Sequence, residues 1–318
     1  MIVNSEGMDP RRLDLLLELS RLGSMADVAA ERRVTTSTVS QQLAALAREV
    51  GTPLLEPAGR RVRLTPAGRR LADHAVTVLA AIEAARLDLD PSATPHGEVR
   101  VASYATAVRT HLLPVVATLA GQHPDVRLRI HEHEPGEALE LLAGDDVDLA
   151  LTYDYDLAPA AFDRSVETLA LHETAWHLGV PTGRARGRGD SAAVFGRFRD
   201  DDWIVNSRNT ADEDAVRVVA ALAGFTPRVT HRADSLELVQ DMVAAGLGVG
   251  LLPAGHPTRS GVSLVPLRRP GVLLRGYAVT RSGRSAWPPL ALVRSLLTTP
   301  GDGVRPGRTP EHRGPHRS

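Results

Sequence analysis

The chain has no cysteine among its 318 residues. That excludes a disulfide framework, a thiolate nucleophile and any sulfur ligand for a metal, and with them redox chemistry by the chain itself. Lysine is missing too: all 37 basic residues are arginine, a usage that a genome rich in G and C is enough to explain. No apolar run approaches the roughly 20 residues that cross a bilayer, so no membrane partner is expected. Residues Met1–Arg12 carry Glu6 and Asp9 ahead of their first arginine and lack an apolar stretch with a small-residue cleavage site. They do not read as a secretory signal, and the expected location is the cytoplasm. Gly-x-Ser-x-Gly and the phosphate-loop pattern are absent, as is any compact Ser, His and Asp set. No catalytic site, cofactor or enzymatic activity is therefore expected.

What is present has the make-up of a water-soluble globular protein, 43% hydrophobic and 24% charged, at about twice the usual domain size. Two or three compact units follow. The net charge of -1 says nothing about where charges sit, but one stretch is locally basic. Between Glu56 and Asp73 there is no acidic residue, while Arg60, Arg61, Arg63, Arg69 and Arg70 occur.

Periodicity divides the chain. Leu13, Leu16, Leu17 and Leu19 mark a first helix ending at Gly23. Ser24 caps a short second one, Met25 to Arg32, and Thr35 or Thr36 caps a third with the apolar stripe Val39, Leu43, Leu46 and Val50. The third helix offers Ser37, Thr38, Ser40, Gln41 and Gln42 on its polar side. Two short strands, beginning at Pro53 and Val62, form a hairpin or wing around residues 57–60. A long helix from Pro66 carries Leu71, Ala75, Val78, Ile82, Ala85 and Leu89 at alternating steps of four and three. This is a coiled-coil seam that asks for a partner, so a homodimer is expected. After a Pro-punctuated hinge at 91–97, strands alternate with helices, the rhythm of a mainly parallel α/β sheet long enough for two lobes. The tail 300–318, rich in Gly, Pro, Arg and His, is expected to be disordered.

Two short helices with a tight turn, the second exposing hydroxyl and amide side chains, suit the major groove of double-stranded DNA. Arg60 at the hairpin tip suits the minor groove, and Arg61 and Arg63 suit phosphates. Two other readings share these features. One is a helix-turn-helix used for protein contacts; the other is a cytoplasmic small-molecule-binding or enzymatic α/β protein with an accessory helical domain.

Gly23-Ser-Met-Ala-Asp-Val-Ala-Ala30, Val34-Thr-Thr-Ser-Thr-Val-Ser-Gln-Gln-Leu-Ala-Ala-Leu46, Gly51-Thr-Pro-Leu-Leu-Glu56 and Leu64-Thr-Pro-Ala-Gly68 resemble the winged helix-turn-helix of LysR-type transcriptional regulators. The resemblance implies that Thr36, Ser37, Ser40 and Gln41 face the groove, flanked by Thr35 and Thr38, and that the helix from Pro66 makes the dimer. The family often carries Arg at Gln41, Phe at Leu55 and Arg at Pro57, so a base preference does not transfer. Gly97-Glu-Val-Arg-Val-Ala-Ser103, Leu112-Leu-Pro114, Asp148-Leu-Ala-Leu151 and Ala245-Gly-Leu-Gly-Val-Gly-Leu-Leu-Pro253 look like the family's effector domain, which is similar to periplasmic solute-binding proteins. In such a fold Ser103, Tyr104 and Thr106 lie at a helix start that favours an anion such as a carboxylate, with Tyr153, Asn206, Ser207 and the backbone near Val249 opposite. The implied organisation is α/β with an all-α-dominated winged helix-turn-helix head at 8–66, a linker and dimerisation helix at 67–90, the hinge, and a two-lobed periplasmic-binding-protein-like effector domain at 98–299. The implied partners are promoter DNA, a small-molecule, anionic effector, further copies in a dimer or tetramer, and RNA polymerase.

Other signals carry less. Gly246-Leu-Gly-Val-Gly250 follows a helix and enters a strand, the reverse of a dinucleotide loop. His131 and His133 share a strand face without a third ligand, and His172 and His177 miss the zinc-protease spacing by one residue, so no metal is expected.

Overall fold

The computed structural model describes residues 8–58, 61–90, 93–185 and 189–298. Arg60, the side chain of Arg61, the first hinge residues and the 300–318 tail lie outside that description.

Three helices build the head, each started by a side-chain cap. In α1 (Pro10–Leu22) Asp9 accepts the Arg11 N–H, and the helix stops where Gly23 takes φ 68° and returns its N–H to Leu19. Ser24 caps α2 (Met25–Arg32), and Thr35 caps α3 (Thr36–Glu49) through the Thr38 N–H at 3.1 Å. Leu13, Leu16, Val28, Val39, Leu43, Leu46 and Leu54 close into one dry core. The wing is an antiparallel pair, β1 (Leu55–Ala58) with β2 (Arg61–Leu64). Its first strand begins two residues later than the sequence suggests, because Leu54 is spent on the core and its carbonyl accepts the Thr65 N–H at 3.0 Å.

Helix α4 (Pro66–Leu89) is 24 residues long, about 36 Å at 1.5 Å per residue. The expected seam is only partly available. Leu71 and Ala75 pack into the head's own core, and Ala75, Val76 and Ala80 are buried within this chain. The head needs the first half of α4 to cover α1, so the seam's apolar spacing also serves the head core. Val78, Ala85 and Leu89 stay exposed and Ile82 half-buried.

The body is one nine-stranded sheet in the order β4-β3-β5-β11-β6-β9-β7-β8, with β10 added on β6. The first lobe pairs β3 (Gly97–Ser103) in parallel with β4 (Val126–Glu132) and β5 (Leu149–Tyr155). A helix runs from α5 (Ala105–Ala107) through a π turn at Val108–Leu112 into α6 (Leu113–Gln122), and α7 (Pro135–Ala143) follows β4. That first helix starts at Ala105, ahead of the Leu112-Leu-Pro114 stretch. The wider π turn lies just where Pro114 has no N–H to give.

Strand β6 (Val166–Pro181) then crosses into the second lobe, where α8 (Ser191–Gly196), β7 (Asp202–Val205), α9 (Ala211–Leu222), β8 (Arg228–Arg232), α10 (Leu236–Ala244), β9 (Val249–Pro253) and β10 (Val262–Val265) follow. Strand β7 pairs in parallel with β8 and β9. The chain returns along β11 (Leu273–Arg281) and ends in α11 (Pro288–Thr298). Strands β6 and β11 run antiparallel to each other and to their neighbours. The sheet is therefore mixed, not mainly parallel: each lobe is parallel inside, and the two crossing strands are not. Within Gly246–Gly250, Gly248 and Gly250 serve packing, since a Cβ there would stand 2.5 Å from the Asp202 and 3.0 Å from the Ile204 carbonyl oxygen, whereas Gly246 takes φ 77° with open space around it. Among the described residues no helix is long and apolar enough to cross a membrane.

The end of β11 is tied to the linker helix. Arg281 Nη2 pairs with Asp73 at 2.6 Å, the Thr77 hydroxyl faces the Ser282 carbonyl at 3.4 Å, and Gly283 lies so close that a Cβ there would be 2.2 Å from Thr77 Oγ1.

Candidate functional site

Helix α3 turns one face outward. Thr35, Thr36, Ser37, Thr38, Ser40 and Gln41 are all exposed. Thr35 and Thr38 are committed to the cap, their hydroxyls 2.8 Å apart, whereas Thr36, Ser37, Ser40 and Gln41 make no side-chain hydrogen bond among the described residues. Gln42 is drawn inward by Arg12, whose Nε donates to it at 2.9 Å. In the wing, Arg63 Nε meets Glu56 at 2.6 Å with most of its side chain in solvent. A surface pair of this kind is worth about 0–1 kcal/mol and yields readily to a phosphate.

The second site is the cleft between the lobes, a cavity of about 240 Å³. Tyr104, Thr106, Tyr153 and Asn206 line it. Ser103, Ser207 and Val249 do not. Ser103 is fully buried and donates to the Tyr104 carbonyl, Val249 is core, and Ser207 gives its N–H to Asp234 at 2.8 Å and its hydroxyl to the same carboxylate.

The charged part of the lining that sequence reasoning missed is mostly acidic, Glu132, Glu134, Asp212, Asp234 and Glu237 against Arg109, set beside His172, Trp176 and an apolar remainder that includes Ile204, Val239 and Leu251. Glu134 accepts from the Tyr153 hydroxyl at 3.0 Å and from Asn209 Nδ2 at 2.7 Å. Asp212, in the first turn of α9, accepts from the Tyr155 hydroxyl at 2.7 Å. The Asn206 amide, turned so that its nitrogen faces Asp212, donates to both carboxylate oxygens at 2.9 and 3.0 Å. Burial raises the Glu134 carboxyl above the ordinary range, and burial with Glu134 and Asp234 nearby pushes Asp212 up to about 7. His172 stacks on His111 with ring nitrogens 2.9 Å apart, and burial plus that neighbour brings it down to about 4, so it stays neutral. The walls that an anionic effector would meet carry carboxylates from both lobes, Glu132 and Glu134 on the first and Asp212, Asp234 and Glu237 on the second, while the helix start at Ala105 adds backbone N–H groups. Among the described residues no group of three or more His, Asp or Glu side chains could hold a metal.

Arg208, on the second lobe at the rim, joins the walls. It lies 3.2 Å from Asp234 of its own lobe, 3.4 Å from Glu132 and Glu137 and 3.8 Å from Glu134 of the first. Arg109 and Glu237 make a second cross-lobe pair at 2.8 Å.

Comparison with known proteins agrees with this geometry. Residues 10–69 match the family described as bacterial regulatory helix-turn-helix protein, lysR family, and residues 92–299 match the LysR substrate binding domain. The chain is 26% identical over 248 residues to the transcriptional dual regulator GltC of Bacillus subtilis, across 77% of this chain and 81% of GltC. It is 29% identical over 255 residues to the transcriptional activator IlvY of Salmonella typhimurium, across 77% and 82%. A full-length OxyR variant from Pseudomonas aeruginosa shares the fold, with a TM-score of 0.67 at 18% identity over 92% of this chain and 98% of that one.

Proposed function

The chain belongs to the LysR family of bacterial transcriptional regulators, and on that footing we propose that it grips promoter DNA as a dimer or tetramer and alters that grip when a small molecule enters the inter-lobe cleft. The observation that carries the proposal is the α3 face, where Thr36, Ser37, Ser40 and Gln41 are exposed and unengaged. Side chains of this kind reach base edges when a helix lies in the major groove. Wing arginines 60, 61 and 63 then take the minor groove and backbone, supplying the salt-sensitive share of affinity. Val78, Ile82, Ala85 and Leu89 on the outer side of α4 form the dimer seam. Two heads joined this way read two half-sites, and their separation follows the angle of α4.

Closing or opening the lobes about β6 and β11 supplies the signal. The Arg208 cluster and the Arg109–Glu237 pair hold the closed arrangement, and a ligand shifts the balance by the difference in its affinity for the two states. RNA polymerase is the partner such a regulator recruits or excludes, and the cytoplasm is where it meets both.

Fluorescence anisotropy of the full chain on the DNA upstream of its own gene, with excess unrelated duplex and at two salt concentrations, tests the proposal. Sequence-specific, salt-sensitive binding is the expected result. Binding no better than to the competitor would favour the cleft domain as the working unit and the helical head as accessory.

A further inference from the structure

The inter-lobe cleft is short of positive charge where it is deepest. The arginines that reach its walls are already engaged, Arg109 by Glu237 and Arg208 by the carboxylates of the rim. Farther in, Asp212 is met by the neutral donors Tyr155 and Asn206, with no arginine partner among the described residues. Glu134 is only 5% exposed, takes its hydrogen bonds from Tyr153 and Asn209, and has Arg208 no nearer than 3.8 Å. Neutral donors orient a carboxylate without cancelling its charge, and two such groups in a half-closed cavity favour a cation between them. His172 supplies none, being neutral.

A second feature agrees with a cation. Trp176 lines the same cavity and is 8% exposed, and an indole beside the site favours a cation over its face.

We infer that the cleft takes a small organic cation, an alkylammonium, with the ammonium at Glu134 and Asp212 and its carbon chain along Trp176. This rests on reading the cleft as the effector site. The cavity's 240 Å³ or so limits the ligand to a compact one.

The test is calorimetric titration of the full chain at about pH 8 with 4-aminobutan-1-ol, butane-1,4-diol and 4-hydroxybutanoate, which share a hydroxyl and differ in charge at the other end. The amino alcohol is expected to bind and the other two not. Its affinity should fall as pH drops toward about 5, by up to tenfold per unit, as Asp212 takes up its proton. The groups facing Asp212 are Tyr153 and Tyr155 from β5, Glu134 ahead of α7, Asn206 after β7 and Asp234 ahead of α10, and of these only the carboxylates contribute charge. Glu134→Gln should weaken binding at least about tenfold. If that variant does not fold, the pH series on the natural chain decides alone. Preference for 4-hydroxybutanoate, binding of none of the three, or amino-alcohol affinity flat with pH would overturn the inference. Repeating the DNA anisotropy with each compound separates the two readings. An amino alcohol that binds the cleft without changing operator affinity keeps the ligand class and sinks the effector role. If 4-hydroxybutanoate changes operator affinity instead, the reverse holds.

Discussion

Replacing Asp212 by asparagine is expected to stabilise the protein above neutral pH and to leave it unchanged in acid. Burial, with Glu134 and Asp234 close by, pushes the folded-state carboxyl from 3.8 up to about 7, whereas in the unfolded chain it returns to about 3.9. A carboxyl whose pKa is raised on folding binds its proton more tightly in the folded chain. Its penalty is therefore absent below about pH 4, grows from there to about pH 7 and is complete above that. At about 1.36 kcal/mol per unit the shift is worth about 4 kcal/mol, an upper figure because part of the side chain reaches the open cleft and its water. The substitution keeps the hydrogen bonds: the new amide oxygen still accepts from Tyr155, and Asn206 can rotate its own amide to present oxygen instead of nitrogen. Asp148 titrates in the opposite sense. Against the upward push of burial, Arg100 and Arg284 hold its carboxyl low, but this is common to both proteins and cancels in the difference. Urea unfolding of both across the pH range gives the measurement. The difference in stability should rise from near zero at about pH 4 to a plateau of up to about 4 kcal/mol at about pH 8. A difference that is flat with pH, or that favours the aspartate at high pH, would refute the reasoning.

Further outcomes follow from the head and the linker. Gln41→Ala should cost about 1–3 kcal/mol in operator binding while leaving affinity for unrelated duplex nearly unchanged, as competition anisotropy would read. Arg63→Ala should weaken both equally and flatten the salt dependence by about 0.9 in log–log slope for each head bound. Gly68→Ala places a Cβ 2.2 Å from the Leu54 carbonyl oxygen, and thermal unfolding should show a loss of about 1–3 kcal/mol as α4 is pushed off the wing. The double variant Val78→Glu with Leu89→Glu should shift the assembly toward monomer in sedimentation velocity without lowering the unfolding temperature, since both side chains are exposed within one chain; an unchanged sedimentation coefficient would remove these residues from the seam.

The head is the part most legible in sequence because its signals are local. Asp9, Ser24 and Thr35 cap helices two or three residues away, and the leucines of α1 and α3 repeat at helical spacing. The crossing strand β6 was invisible as a unit. Its residues from Val166 to Pro181 include Glu167, His172, Glu173 and His177, which break the apolar alternation that marks a strand. It is ordered by the strands on either side, not by its own composition. The cleft acids were missed for a related reason. Asp212 and Glu237 sit in first helical turns, where a carboxylate reads as a helix-stabilising charge. Only the fold brings Glu134 and Asp234, from two separate connections, together with Asp212 in the first turn of α9. Ser207 stays off the cleft lining, its hydroxyl turned to Asp234 in a pairing 27 residues apart in the chain.

The two strands that cross between the lobes also meet the linker helix, and this bears on how a cleft could speak to a DNA-binding head. Glu167, at the start of β6, accepts the Gly283 N–H at 2.8 Å, and Arg281, the last residue of β11, binds both Asp145 of the first lobe and Asp73 of α4. The free end of each hinge strand is thus fixed under the same stretch of α4, where Gly283 has no side chain to hold it away from Thr77. A rotation of the second lobe that twists β6 and β11 has few places to be absorbed between the cleft and this junction, because the strands are paired with each other along most of their length. Either the twist carries Arg281 to Gly283 with it and tilts α4, or it breaks the Asp73 and Thr77 contacts and frees the helix. On the proposed reading, both outcomes change the angle at which paired heads are presented, and the contacts of Arg281 and Gly283 with α4 would then serve as the relay between cleft and DNA.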